Sequence, residues 1–214
     1  YLLVKNQMTQ NIGVIDYGTG NLRSVVKAFE HIGAAVTILK NPELVERMNA
    51  LVFPGQGTFD QCIHALKALG FDQVIKQWIN QGRPYFGICL GLQVLFENSE
   101  EGSLPGLGIF GGRVKKFTTK TNLKIPHMGW NSVRWNLPVE NPYRKNLKDG
   151  DQFYFVHSYH VVDAEPSLAT FTTNYEKNFT SGILSDRCIA TQFHPEKSQV
   201  KGLQLYRNFL DIIS

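Results

Sequence analysis

Apolar residues in the first half of the chain alternate between short unbroken runs and longer stretches in which they recur with a helical period of about 3.6. Ile12–Asp16, Ala35–Leu39 and Ala50–Phe53 are runs of the length expected for strands buried on both faces. Between them, Leu22–His31, Phe59–Leu69 and Phe71–Asn80 carry the helical period, and Gly33, Pro54-Gly55 and Gly70 punctuate the boundaries. Another apolar run, Pro84-Tyr85-Phe86, leads into a glycine-flanked turn at Cys89 and a helix from Leu90. Short strands alternating with amphipathic helices predict an α/β fold with a parallel sheet covered on both faces.

Past this point the pattern becomes strand-rich. Gly108–Phe110, Arg113–Phe117, Ser132–Trp135, Phe153–Ser158, Ala169–Thr173, Ser181–Leu184 and Ile189–Phe193 are strand candidates joined by turn-rich segments. They predict mixed and antiparallel additions to the central sheet, closed by a helix over Val200–Ile213. No internal repeat or low-complexity linker interrupts the chain, so residues 11–214 read as one domain. Residues 1–10 read as an N-terminal leader, with Met8 as the natural start.

Composition narrows the function classes. With 214 residues, 43% of them apolar, the chain can bury a full core. A formal charge of +4 is modest, and no basic run is interleaved with aromatics, so nucleic acid is not indicated. Cys62, Cys89 and Cys188 are odd in number and form no Cys-x-x-Cys pair, which fits a reducing compartment better than a disulfide scaffold. No stretch approaches the roughly 20 apolar residues of a membrane span, and Tyr1–Gln7 lack the regions of a signal peptide. A cytoplasmic protein is expected.

The densest chemistry lies in Gly87-Ile88-Cys89-Leu90-Gly91-Leu92-Gln93. A cysteine at the apex of a strand-to-helix turn, with glycine two residues to each side, is the thiol form of a nucleophile elbow. A buried cysteine in such a turn is more often a small hydrophobe. The downstream segment Thr191-Gln192-Phe193-His194-Pro195-Glu196 tips the balance, because it ends a second strand with an imidazole and a carboxylate two residues apart. Thiol, base and a group to orient the base make a nucleophilic set. A third turn, Pro54-Gly55-Gln56-Gly57, also follows a strand. In a parallel sheet all three turns share the carboxyl edge, where sites of open α/β sheets lie. The backbone N–H groups of Gly55, Gln56, Gly57 and Leu90 are then candidate oxyanion donors. Without the elbow, an ordinary βα connection would account for the glycine-rich turn equally well.

Two other motifs carry less. Gly18-Thr19-Gly20-Asn21 invites a dinucleotide reading, but Arg23 stands where the third glycine is needed. His157 and His160 suggest a metal, yet two residues three apart on a strand face opposite ways and no further ligand motif completes a site. Neither a metal nor a cofactor is expected.

The elbow and the distal His-Pro-Glu resemble those of the class I, or triad, glutamine amidotransferases. Asp16–Asn21, the segment Pro126-His127-Met128-Gly129-Trp130-Asn131, Phe155–Tyr159 and Phe193–Gln199 narrow the resemblance to the glutaminase subunits of imidazole glycerol phosphate synthase, over essentially the whole chain. The resemblance implies a flavodoxin-like, mixed but mostly parallel sheet. It also implies that Cys89 attacks the glutamine side-chain amide, His194 moves the proton and Glu196 orients the imidazole. Gln93, Glu101, Ser158 and Tyr159 correspond to residues that hold glutamine. The implied partner is a (β/α)₈-barrel cyclase that takes the ammonia for histidine biosynthesis as a heterodimer, with Asn21 and Trp130 as contacts. Gln56 departs from the subfamily, which usually has valine there. Alternatives are a triad amidotransferase of anthranilate or pyridoxal phosphate synthesis, a cysteine peptidase on the same fold, or a non-catalytic module. His-Met-Gly-Trp-Asn is foreign to the first two pathways, and the complete triad disfavours the last.

Overall fold

The computed structural model describes residues 10–18, 22–120 and 123–213. In chain order the elements are β1 (Asn11–Ile15), α1 (Leu22–His31), β2 (Ala35–Leu39), β3 (Ala50–Gly55), α2 (Phe59–Leu69), α3 (Phe71–Asn80), β4 (Tyr85–Cys89), α4 (Leu90–Gln93), β5 (Asn98–Ser99) and β6 (Arg113–Lys116). There follow β7 (His127–Ser132), β8 (Gln152–His157), β9 (Tyr159–Val162), β10 (Ala169–Tyr175), β11 (Lys177–Ser185), β12 (Cys188–Thr191) and α5 (Gln199–Ile213). The 3₁₀ turn at Pro42–Arg47, capped by the Asn41 side chain, was not signalled by the apolar period.

The main sheet runs β2-β1-β3-β4-β12-β11-β9-β6-β5, with β10 pairing on β11. Its first five strands are parallel, while β11 is antiparallel to β12, β9 and β10. The carboxyl ends of β3, β4 and β12 therefore lie side by side, which brings the three turns singled out in the sequence to one edge.

Alternation along the buried strands feeds two cores. Leu51, Phe53 and Tyr85 face the layer of α2 and α3, where Phe59, Ile63, Phe71 and Trp78 are buried. Val52, Phe86 and Ile88 face the layer of α1 and α5, built on Phe29, Tyr206 and Phe209. Phe29 stacks on Tyr206 at 4.3 Å between ring centroids, and Phe86 meets Phe209 edge-on at 5.3 Å.

Several expectations need correction. Gly108–Phe110 forms no strand, because its N–H groups turn back to the carbonyls of Phe96 and Leu95 instead of a neighbouring strand. The strand expected at Ser132–Trp135 lies earlier, at His127–Ser132, and Arg134 contributes only an isolated bridge to Thr172. That strand pairs with β8 as a separate two-stranded ribbon, and its Met128 and Trp130 point to solvent, which inverts the usual apolar-in pattern. The helix after Cys89 is a single turn. His157 and His160 do not face opposite ways, since Ser158 breaks the strand between them and both rings pack on Phe117.

Candidate active site

Cys89 ends β4 and caps the one-turn α4 with φ 55° and ψ −106°. A non-glycine residue at positive φ is uncommon and costs on the order of 1–3 kcal/mol, so the surrounding structure must hold it there. The flanking glycines supply the room: a Cβ on Gly91 would run into the Phe53 carbonyl oxygen, and one on Gly87 would stand 2.5 Å from that of Gly91. Because α4 has only four residues, little macrodipole reaches the sulfur. The elbow acts by geometry: it lifts the thiol out of the sheet edge.

The side chain of His194 follows β12 and is almost fully buried. Its Nδ1 lies 2.8 Å from Oε1 of the buried Glu196 carboxylate, which fixes the proton on Nδ1 and leaves Nε2 as the acceptor. Nε2 is buried with no hydrogen-bond partner in the structure. Burial alone would depress this imidazole, but its electrostatic interactions with Cys89 and the Glu196 carboxylate outweigh that and raise it above its ordinary value. Cys62 is buried and pushed up to about 12, and burial drives Cys188 higher still.

Cys89 and His194 line one cavity of about 280 Å³. Gly55, Gln56, Gly57, Leu90, Gln93, Glu101, Ser158 and Tyr159 line it too, so every proposed oxyanion and glutamine residue reaches the same space. Val156, His157 and Lys197, which are not among the residues expected to hold glutamine, complete the wall. Asn21 lies outside the described residues. Trp130, 46% exposed, does not line the cavity; it lies on the β7–β8 ribbon two residues from exposed Met128, and it shares a surface hollow with exposed Val200. Among the described residues no group of three His, Cys, Asp or Glu is arranged to hold a metal ion.

Some of these groups are already engaged. Glu101 accepts from the Phe59 N–H at 3.0 Å and so caps α2, where Thr58 makes no side-chain cap. Its partial burial raises its carboxyl, opposed by that bond. Gln93 donates from Nε2 to the Tyr159 carbonyl at 3.1 Å and to Gln192 Oε1 at 2.9 Å, which leaves its oxygen for a ligand. In the glycine-rich turn, the Gln56 N–H points at the Tyr17 hydroxyl at 2.5 Å, and that hydroxyl donates to the Gln56 carbonyl. Tyr17 is 5% exposed and does not line the cavity, so this N–H is directed away from the thiol.

A chain of neutral groups backs the glutamine wall. His157 Nδ1 lies 2.7 Å from the Tyr159 carbonyl and must donate to it. Its Nε2 is therefore the acceptor for His127 Nδ1 at 3.0 Å, and His127 Nε2 accepts from Asn131 Nδ2 at 3.1 Å. The arrangement requires both rings to be uncharged. Burial pushes His127 down to about 4 and, against its bond to the Tyr159 carbonyl, His157 down to about 3. The ribbon bearing Trp130 is thus tied to the cavity wall at Tyr159.

Comparison with known proteins fits this geometry. Residues 13–213 match the family model described as glutamine amidotransferase class-I. The chain is 47% identical to the imidazole glycerol phosphate synthase subunit HisH of Thermosynechococcus vestitus, over 94% of this chain and 97% of that one. It is 44% identical to the HisH subunit of Acinetobacter baylyi with the same coverage. Among solved structures, PurLQS from Thermotoga maritima superposes with a TM-score of 0.76 at 15% identity, over 97% of this chain and all of that one. A glutamine amidotransferase from Thermotoga maritima gives 0.63 at 16% identity, covering 95% and 97% of the two chains. These two likenesses concern the fold.

Proposed function

The chain belongs to the class-I glutamine amidotransferases and, within them, groups with the HisH subunits of imidazole glycerol phosphate synthase; from that premise we propose that it hydrolyses glutamine through Cys89, His194 and Glu196 and passes the ammonia to a cyclase. Cys89 Sγ adds to the side-chain amide carbon while His194 Nε2 takes the thiol proton. The tetrahedral oxyanion is met by backbone N–H groups of the Gly55–Gly57 turn and Leu90. His194 returns its proton to the departing nitrogen, the C–N bond breaks and ammonia leaves a glutamyl thioester. Water, activated by the same imidazole, then releases glutamate and restores the thiol. Glu196 keeps Nδ1 protonated throughout.

The observation that carries this reading is the convergence of a strained elbow cysteine and a carboxylate-oriented histidine with a free Nε2 on one cavity. The cavity suits one small amino acid. Gln93, Glu101, Ser158 and Tyr159 present the polar atoms that recognise its ends.

Ammonia released without an acceptor is lost, so a glutaminase of this kind gains from resting until its partner docks. The Gln56 N–H turned toward Tyr17 supports such a resting state. The ribbon face of Met128, Trp130 and nearby Val200 is an exposed apolar surface suited to docking. A (β/α)₈-barrel cyclase is the partner proposed for it. Glutamate release measured with and without the cognate cyclase tests the reading: activity that rises on complex formation supports it. A lone protein that hydrolyses glutamine at full rate, or a complex that does not hydrolyse it, contradicts it.

A further inference from the structure

Gln192 is fully buried at the end of β12, two residues before His194, and its backbone N–H is held by the Ser181 carbonyl at 2.9 Å. Its side chain lies between Gln93 and Cys89. The orientation of both amides follows from a fixed end point. The Tyr159 carbonyl can only accept, so the atom of Gln93 facing it is the nitrogen. That same nitrogen faces Gln192 at 2.9 Å, so the near atom of Gln192 is its oxygen. The remaining atom, Nε2, is then the one that stands 3.5 Å from Cys89 Sγ, within hydrogen-bond reach of a sulfur. Flipping either amide would set like atoms against each other.

We infer that Gln192 is a further catalytic residue, whose amide N–H donates to the sulfur of Cys89 and stabilises it as the attacking anion. The inference rests on the proposal that Cys89 is the nucleophile. The physical basis is that a hydrogen bond to the charged form of a group favours that form, and that charge-assisted bonds are about twice as strong as neutral ones. Burial keeps water from competing, and the chain from the Tyr159 carbonyl through Gln93 holds the donor in place before the proton leaves. His194 removes the proton on one side of the sulfur; Gln192 receives the resulting charge on another.

The test uses Gln192→Met, which keeps the chain length but has no N–H, and Gln192→Glu, which keeps an acceptor for Gln93 but places a carboxylate beside the sulfur. The readouts are alkylation of Cys89 by iodoacetamide at neutral pH without glutamine, and kcat and KM for glutamine in the complex with the cyclase. Ammonia-driven turnover of the same complex reports that each variant is folded and docked. The inference predicts alkylation and kcat slower by about tenfold or more in both variants, with KM changed by less than about twofold in Gln192→Glu, which keeps the bond to Gln93. A residue that only props Gln93 and the Tyr159 wall would raise KM and leave alkylation unchanged, and that outcome overturns the inference. Where Gln192→Met fails to fold, Gln192→Glu decides, because it retains the bond to Gln93. Slowed alkylation in a protein without glutaminase activity would remove the proposed function and leave the donor; wild-type alkylation with intact glutaminase would remove the donor alone.

Discussion

Replacing Tyr17 by Phe deletes one oxygen and keeps the ring, which packs edge-on against Phe53 at 5.2 Å between centroids. That oxygen accepts the Gln56 N–H and donates to the Gln56 carbonyl, so it clips the central residue of the glycine-rich turn at both ends. A neutral hydrogen bond is worth about 0.5–1.5 kcal/mol net, so two such bonds hold the turn in its resting orientation by about 1–3 kcal/mol. Without the hydroxyl these two bonds are lost, and the alternative orientation toward the thiol gains by the same amount. At about 1.4 kcal/mol per factor of ten, the competent population rises by about 5-fold to about 150-fold. Steady-state glutamate release by the lone protein reads this directly. Basal activity of Tyr17→Phe should rise within that range while the rate with saturating cyclase stays near wild type, so the activation ratio shrinks correspondingly. A basal rate equal to or below wild type, in a variant whose complex remains active, would refute the idea that Tyr17 holds the turn back.

Other outcomes follow from the same geometry. His194→Ala should lower kcat about 10⁴-fold or more, nearly as much as loss of the thiol, because the two act as a unit. Glu196→Gln should be at least about tenfold milder, since loss of the orienting carboxylate costs less than loss of the base and an amide oxygen can still accept from Nδ1; kinetics showing the reverse order would reassign the two roles. His127 and His157 are neutral in the fold, at about 4 and about 3 against an ordinary value of 6.5, so unfolding takes up protons below pH 6.5. Their contribution is complete above pH 6.5 and is lost progressively as pH falls toward their folded values, so the urea midpoint should drop between about pH 7 and about pH 5 by an amount reflecting up to two protons; an unchanged midpoint contradicts the tautomer chain. Trp130→Ala should weaken cyclase binding or activation measured by titration while leaving the melting temperature of the lone protein unchanged, and undiminished affinity and activation would place the docking face elsewhere.

Much of this was legible in the sequence because local signals and tertiary structure agree. Leu22–His31, Ala35–Leu39, Phe59–Leu69 and Phe71–Asn80 form the elements their periodicity predicts, with the same bounds. The candidate triad and the glycine-rich turn could be set on one sheet edge by topology alone. Elsewhere the controlling contact is non-local. Gly108–Phe110 has strand composition, yet its backbone is claimed by Leu95 and Phe96. The helix expected after Cys89 stops after one turn. Gln192 sits inside an apolar strand run, where a buried amide was the available clue, but its role depends on Gln93, far away in sequence. The Tyr17–Gln56 contact likewise joins two loops that no period connects.

The proposed reaction turns on Cys89 supplying ammonia from glutamine to a cyclase partner. Its most direct test is turnover of the Cys89→Ala protein in complex with the cognate cyclase, with glutamine in one assay and an ammonium salt in the other. Glutamine-dependent product formation should vanish while the ammonia-dependent rate stays at the wild-type level. Persistent turnover with glutamine would contradict the assignment of Cys89 as the nucleophile.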